Sequence, residues 1–145
     1  MAKSFSVFCL YADDVRHEIN GKTSFIGTYM GELNATMPAV PGNLARLVVS
    51  IFVTVPIERE FKKANIEILW DSTLLNGMNF DRDQMNLVRP SDESDNDHVI
   101  NAIVVMEPLQ LSGSGKIIVK VTIDDEVVMG NRLKVNVRTP TPQNA

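Results

Sequence analysis

The sequence is short of almost everything that enzymatic or cofactor chemistry uses. Its 145 residues hold one cysteine, two histidines and one tryptophan. No Gly-x-Ser-x-Gly elbow is present, and no Walker-type or dinucleotide glycine pattern. A lone cysteine excludes a disulfide framework, and without a Cys/His cluster there is no zinc-finger spacing. Cys9 lies within the apolar run SFSVFCLY, where it reads as a small buried hydrophobe. One thiol fits a reducing, cytoplasmic compartment.

Long hydrophobic runs are also missing. No stretch approaches the roughly 18 apolar residues of a membrane span. Residues 1–11 combine no uninterrupted apolar core with a small-residue cleavage site, so they do not read as a signal peptide. A membrane partner is not expected, and the expected location is the cytoplasm of a bacterium or an infected host cell, or a virion. Basic charge is scarce too: 14 Lys and Arg stand against 18 Asp and Glu, a net charge of −4, and the cations are scattered singly among acids. Phosphate-backbone binding needs a basic patch and stacking aromatics, so nucleic acid is not an expected partner.

Alternating hydrophobicity is what the chain has in abundance. Leu47, Val49, Ile51, Val53 and Val55 are apolar at every second position, as are Ala64, Ile66, Ile68 and Trp70, and Ile117, Val119, Val121 and Ile123. Val127, Met129, Leu133, Val135 and Val137 extend the same pattern. Such alternation marks strands with one face in a core. Gly/Pro/Asp-rich breaks fall at 37–42, 56–63, 89–97, 112–115 and 124–126. The spacing predicts an all-β fold, an antiparallel β-sandwich of immunoglobulin-like or C2-like kind with seven to nine strands. One domain over residues 1–138 and an extended tail over 139–145 are expected. The clearest hairpin joins Lys116–Ile123 to Val127–Val137. Only 58–63 and 74–87 leave room for helix, a single turn in the first and a short helix or a wandering edge in the second.

The densest charge lies in ADDVRHEINGK, residues 12–22. Asn20-Gly21 suits a two-residue type I′ hairpin, folding Val15–Ile19 onto Lys22–Ile26. Asp14, Arg16 and Glu18 then share one face as a ladder of charge pairs, or meet a partner or ion there. His17 points the other way, with Val15 and Ile19, where packing is expected. An enzymatic reading would require Asp14, Arg16 and His17 to converge in a concave pocket.

Acidic loops suggest a second kind of site. Residues 92–97 resemble a calcium loop, but Asp97 stands where the sixth-position glycine belongs and Ile103 where the twelfth-position glutamate belongs, so the EF-hand pattern fails. Asp13, Asp14, Asp97, Asp124, Asp125 and Glu126 remain as oxygen donors that loops at one end of a sandwich could gather. A third feature is apolar residues on both faces of some strands. Val48 and Phe52 oppose Leu47, Val49 and Ile51, while Ile100, Ala102, Val104 and Met106 run beside Val99, Ile103 and Val105. One face of an open antiparallel sheet normally stays polar. Val48, Phe52, Val104 and Met106 are therefore the candidate apolar interface, covered either by the chain's own loops or by another protein.

The run from Phe8 to Tyr29 resembles the N-terminal signature of an uncharacterised family of small bacterial and bacteriophage proteins. That signature is a hydrophobic strand, Asp-Asp-x-Arg, an acidic position, Gly-Lys, then Ser-apolar-Ile-Gly-x-Tyr. Asp13, Asp14, Arg16, Glu18, Gly21, Lys22, Ser24, Ile26, Gly27 and Tyr29 occupy those places. The resemblance implies a β-sandwich of bacterial or phage origin and carries no activity. Gly27 inside a strand suggests a bulge or a close backbone approach. The expected function is a non-enzymatic protein-interaction or structural sandwich, with no cofactor, which meets a protein partner or further copies of itself. The alternative is a calcium- or small-ligand-binding module built on the acidic loops.

Overall fold

The computed structural model describes residues 4–84 and 97–140. Among these residues twelve strands run in chain order: β1 (Ser6–His17), β2 (Thr23–Tyr29), β3 (Glu32–Thr36), β4 (Gly42–Leu44), β5 (Leu47–Val55), β6 (Lys63–Trp70), β7 (Thr73–Asp81), β8 (His98–Met106), β9 (Leu109–Leu111), β10 (Gly115–Ile123), β11 (Glu126–Met129) and β12 (Leu133–Arg138). The only helical turns among the described residues are two three-residue 3-10 turns, Ile19–Gly21 and Arg82–Gln84. Residues 58–63 form no helix, while 74–81 belong to the edge strand β7 and 82–84 to a 3-10 turn, and 85–87 lie outside the described residues.

Two sheets face each other. One has the order β2-β1-β5-β8; the other runs β3-β12-β10-β6-β7, with β11 also paired to β10, and β4 and β9 form a small separate ribbon. The all-β, sandwich-like expectation holds, with two differences. Twelve strands replace seven to nine, because β4, β9 and β11 are too short for alternation to register. The β3–β12 pair is parallel, from Lys134↔Glu32 to Arg138↔Thr36.

The inner rows of both sheets merge into one core. Cys9 and Tyr11 of β1, the odd positions of β5, and Val104 of β8 meet Ala64, Ile66 and Ile68 of β6, the odd positions of β10, and Leu133 and Val135 of β12. The alternation therefore reports the fold directly wherever one face is apolar and the other polar. It misleads in β11. There Val128 turns inward opposite Val121, while Val127 and Met129 are about half exposed. Residues 130–132 interrupt the ladder and reset the parity before β12.

That interruption also ties the sheets together. β2 pairs with β1 only from Tyr11 onward, so among the described residues the edge of β1 at Cys9 has no paired strand. Asn131 takes the strand's place: the Cys9 N–H donates to its Oδ1 at 2.6 Å and its Nδ2 donates to the Cys9 carbonyl at 2.8 Å. The Tyr11 hydroxyl donates to the Asn131 carbonyl at 2.7 Å. Gly130 permits the approach, since a Cβ there would lie 2.8 Å from Cys9 Sγ. Burial pushes the Cys9 thiol up to about 11, consistent with a packing role.

Removing one partner of such a bond strands the other. Asn131→Ala is expected to cost about 1–2 kcal/mol in urea unfolding. Asn131→Asp, which sets a carboxylate against the Cys9 carbonyl, is expected to cost more at neutral pH.

Candidate interaction site

The charged N-terminal stretch folds as a hairpin whose tip is longer than two residues. His17 pairs with Thr23, and the Glu18 N–H donates to the Lys22 carbonyl at 2.7 Å, leaving Ile19, Asn20 and Gly21 as the loop. Asn20 and Gly21 both take positive φ, 68° and 73°, the conformation for which an Asn-Gly pair is suited. Ile19 is exposed at the apex. Lys22 is solvated, and its carbonyl closes the loop.

The register of β1 on β2 sorts the motif into two faces. Asp13 and Tyr29 lie toward the core side. The Tyr29 hydroxyl donates to Asp13 Oδ1, and Gly27, at φ 68°, lies where any Cβ would come 2.4 Å from Asp13 Oδ2. Gly27 thus makes room for the Asp13 carboxylate, the close approach expected of a mid-strand glycine. Burial, together with the Asp13 bond, pushes the Tyr29 phenol up to about 12.

Asp14 and Arg16 lie on the opposite face, but the expected ladder of three does not form. Arg16 Nε stands 4.0 Å from Glu18 Oε1, with both side chains well exposed. Asp14 instead meets Arg46, a residue the sequence did not single out. Arg46 Nη1 donates to Asp14 Oδ1 at 2.5 Å, while its Nη2 and Nε donate to the two oxygens of Glu107 at 3.0 and 3.2 Å. The pairs Ala12↔Val48 and Leu47↔Met106 place Asp14, Arg46 and Glu107 in one row across β1, the start of β5 and the end of β8. The Val15 amide and then the Arg46 guanidinium hold the Asp14 carboxyl below its ordinary range.

His17 turns away from Asp14 and Arg16, as expected, but is exposed instead of packed. The three side chains of the enzymatic reading therefore do not converge. His98 lines a different cleft of about 370 Å³ with Arg59, Phe61 and Arg82. Both guanidiniums there lie over rings, Arg59 over Phe5 and Arg82 over Phe61, and Arg59 also pairs with Glu126.

The acidic loops are engaged in the fold. Asp124 Oδ1 accepts from the Lys62 and Lys63 amides, and Glu126 accepts from Ser4 and Arg59. Asp125 and Asp97 are exposed. Among the described residues no three His, Cys, Asp or Glu side chains gather as a metal site. Residues 92–96 of the calcium-like loop lie outside the described residues.

The four candidate interface residues do not share one surface. Val104, 7% exposed, and Met106 pair with Val49 and Leu47 and point into the core. Val48 is on the outer face but fully buried, and Phe52 is half-buried further along the same face, beyond Ser50. The apolar outer row of this sheet is instead Phe8, Leu10, Phe52, Val99, Ile103 and Val105. Phe8 is 55% exposed, Val99 56% and Val105 45%. The Phe8 and Phe52 rings lie 6.1 Å apart, and on the same face Asn101 Nδ2 donates to buried Ser50 at 2.9 Å. The outer face of the other sheet is more strongly charged, carrying Glu32, Glu67, Lys116, Lys120, Lys134 and Arg138, with Leu69, Leu74, Ile118, Val127 and Met129 among them.

The geometry defines an all-β sandwich with one largely apolar outer face, one charge-rich outer face and a polar lock in its first hairpin. The chain belongs to the family of unknown function DUF6941, whose model matches residues 7–136. No curated protein matches it.

Gly27→Ala combines a positive-φ penalty with displacement of Asp13, and a cost of about 2 kcal/mol is expected in urea unfolding. Arg46→Met, which keeps the apolar stem, is expected to lower Tm at pH 7. Because the folded-state pKa of Asp14 is depressed, the stabilisation is present above the ordinary carboxylate pKa of about 4 and is lost as pH falls through the folded value. The Tm gap between Arg46→Met and the natural protein should therefore narrow in the acid range.

Proposed function

We propose that this chain is a non-enzymatic protein-interaction or structural domain, a bacterial or bacteriophage subunit acting inside the cell or in a virion. It meets a protein partner with the outer face of the β2-β1-β5-β8 sheet. The observation that carries this reading is the difference between the two outer faces. An antiparallel sheet with one solvated face normally alternates apolar-in and polar-out, as β12 does and as β6 and β10 do apart from the outward pair Leu69 and Ile118. Across β1, β5 and β8 the outward positions 6–12, 48–54 and 99–105 carry no formal charge: Phe8, Leu10, Phe52, Val99, Ile103 and Val105 lie there with Ser6, Ser50, Thr54 and Asn101 between them, and an uncharged, largely apolar surface of this kind marks an interaction site.

The row Asp14–Arg46–Glu107 borders that surface at one end. It supplies the polar rim that interfaces place around an apolar centre. Rim charges set orientation and encounter more than affinity.

A photo-crosslinking phenylalanine analogue at position 8, in the natural host, is expected to give a discrete protein adduct. The same group at position 67 or 120, on the charged face, should give none. Equal labelling from both faces, or none from position 8, would remove this reading.

A further inference from the structure

Edge strands expose unpaired N–H and C=O groups, and proteins blunt them with short length, charge, proline, bulges or irregular backbone. Three edges here carry such devices. β3 is five residues long and begins with Glu32. β7 contains Gly77, and its ladder with β6 shifts register between Ile68 and Leu69. β2 is interrupted by Gly27 at positive φ.

β8 carries none of them. It runs nine residues, HVINAIVVM, without proline, glycine or a formal charge after His98. Its ladder with β5 is unbroken from Val55↔His98 to Leu47↔Met106. No strand lies along its other side among the described residues. A long, regular, apolar edge is a template for another strand, and nothing in its own sequence discourages pairing.

The pattern on β8 also says which strand fits. Val99 and Val105, its two most exposed apolar residues, lie three positions either side of Ala102 on the outer face. We propose that β8 pairs antiparallel with β8 of a second copy about a two-fold axis at Ala102, joining two four-stranded sheets into one of eight. This rests on the preceding reading that this sheet is an interaction surface, and it goes beyond it: a second copy of the chain takes the sheet's edge, while the outer face stays open to the partner.

In this register Val99 stands opposite Val105 of the second copy, and Val105 opposite its Val99. Asn101 meets Ile103, and all nine residues pair. A slip of one residue would set outward side chains against inward ones. A slip of two would place Val99 opposite either Glu107 or Ile103 and leave the valines unmatched. No like charges oppose each other between Val99 and Met106. Just beyond them, Asp97 comes opposite Glu107 of the second copy, whose charge Arg46 offsets. A two-fold contact of this kind is isologous and closes on itself.

Sedimentation velocity of the full chain at tens of micromolar is expected to give a dimer. Val99→Lys with Val105→Lys places like charges opposite each other twice and should give a monomer. Val99→Lys with Val105→Glu places opposite charges there and should restore a dimer that weakens in high salt. Circular dichroism and thermal unfolding check that both variants fold. A monomeric natural chain, a dimeric double-lysine variant, or a charge-paired variant as monomeric as the double-lysine one would overturn the proposal. Position 8 lies two strands from β8, so a monomer that still gives the position-8 adduct overturns the β8 contact alone. Failure of that adduct removes the broader reading.

Discussion

The sandwich depends on how β1 is held along both of its edges. Against β5 it forms a continuous ladder, but β2 covers its other edge only from Tyr11 onward. At Cys9 the backbone donor and acceptor would otherwise face that edge without a partner, an arrangement that buried peptide groups do not tolerate. The Asn131 amide closes that gap with one acceptor and one donor, so a loop of the second sheet stands in for a strand of the first. The position of the hairpin, the packing of Tyr11 and the closeness of the two sheets follow from that substitution.

Where the hairpin continues past this tie, each neighbouring acid has a different use. Asp13 and Asp14 are adjacent in sequence yet project to opposite faces, one toward Tyr29 beside the core and one toward Arg46 across the outer row. The first secures the hairpin to itself, with Gly27 leaving the space. The second links three strands across the sheet. A charged stretch that looks like one site is two structural devices placed back to back.

The parts legible in the sequence were those in which one strand carries its own contrast. β5, β6 and β10 alternate strongly enough to reveal their inner rows, and Gly27 was recognisable because a strand has little use for glycine except where something must come close. β8 was ambiguous because both of its faces are apolar, and parity alone cannot say whether Val104 or Val105 points inward. Arg46 was invisible for another reason. It shares the outward parity of Val48 and Phe52, but its two partners are 32 and 61 residues away, and only cross-strand register brings them opposite it. Asn131 likewise resembles any polar residue in a Gly-Asn-Arg turn. Nothing local marks a side chain that imitates a backbone.

The contrast between the two outer faces makes the domain an amphiphile at the scale of the whole molecule. Lysines, an arginine and glutamates keep one side hydrated, while phenylalanine, leucine, isoleucine and valine leave the other poorly wetted. At any boundary between water and a less polar medium, the free energy of the two orientations differs, and the side bearing Phe8 turns away from water. Adsorption to a resin, an emulsion droplet or a protein surface would therefore begin from a selected pose.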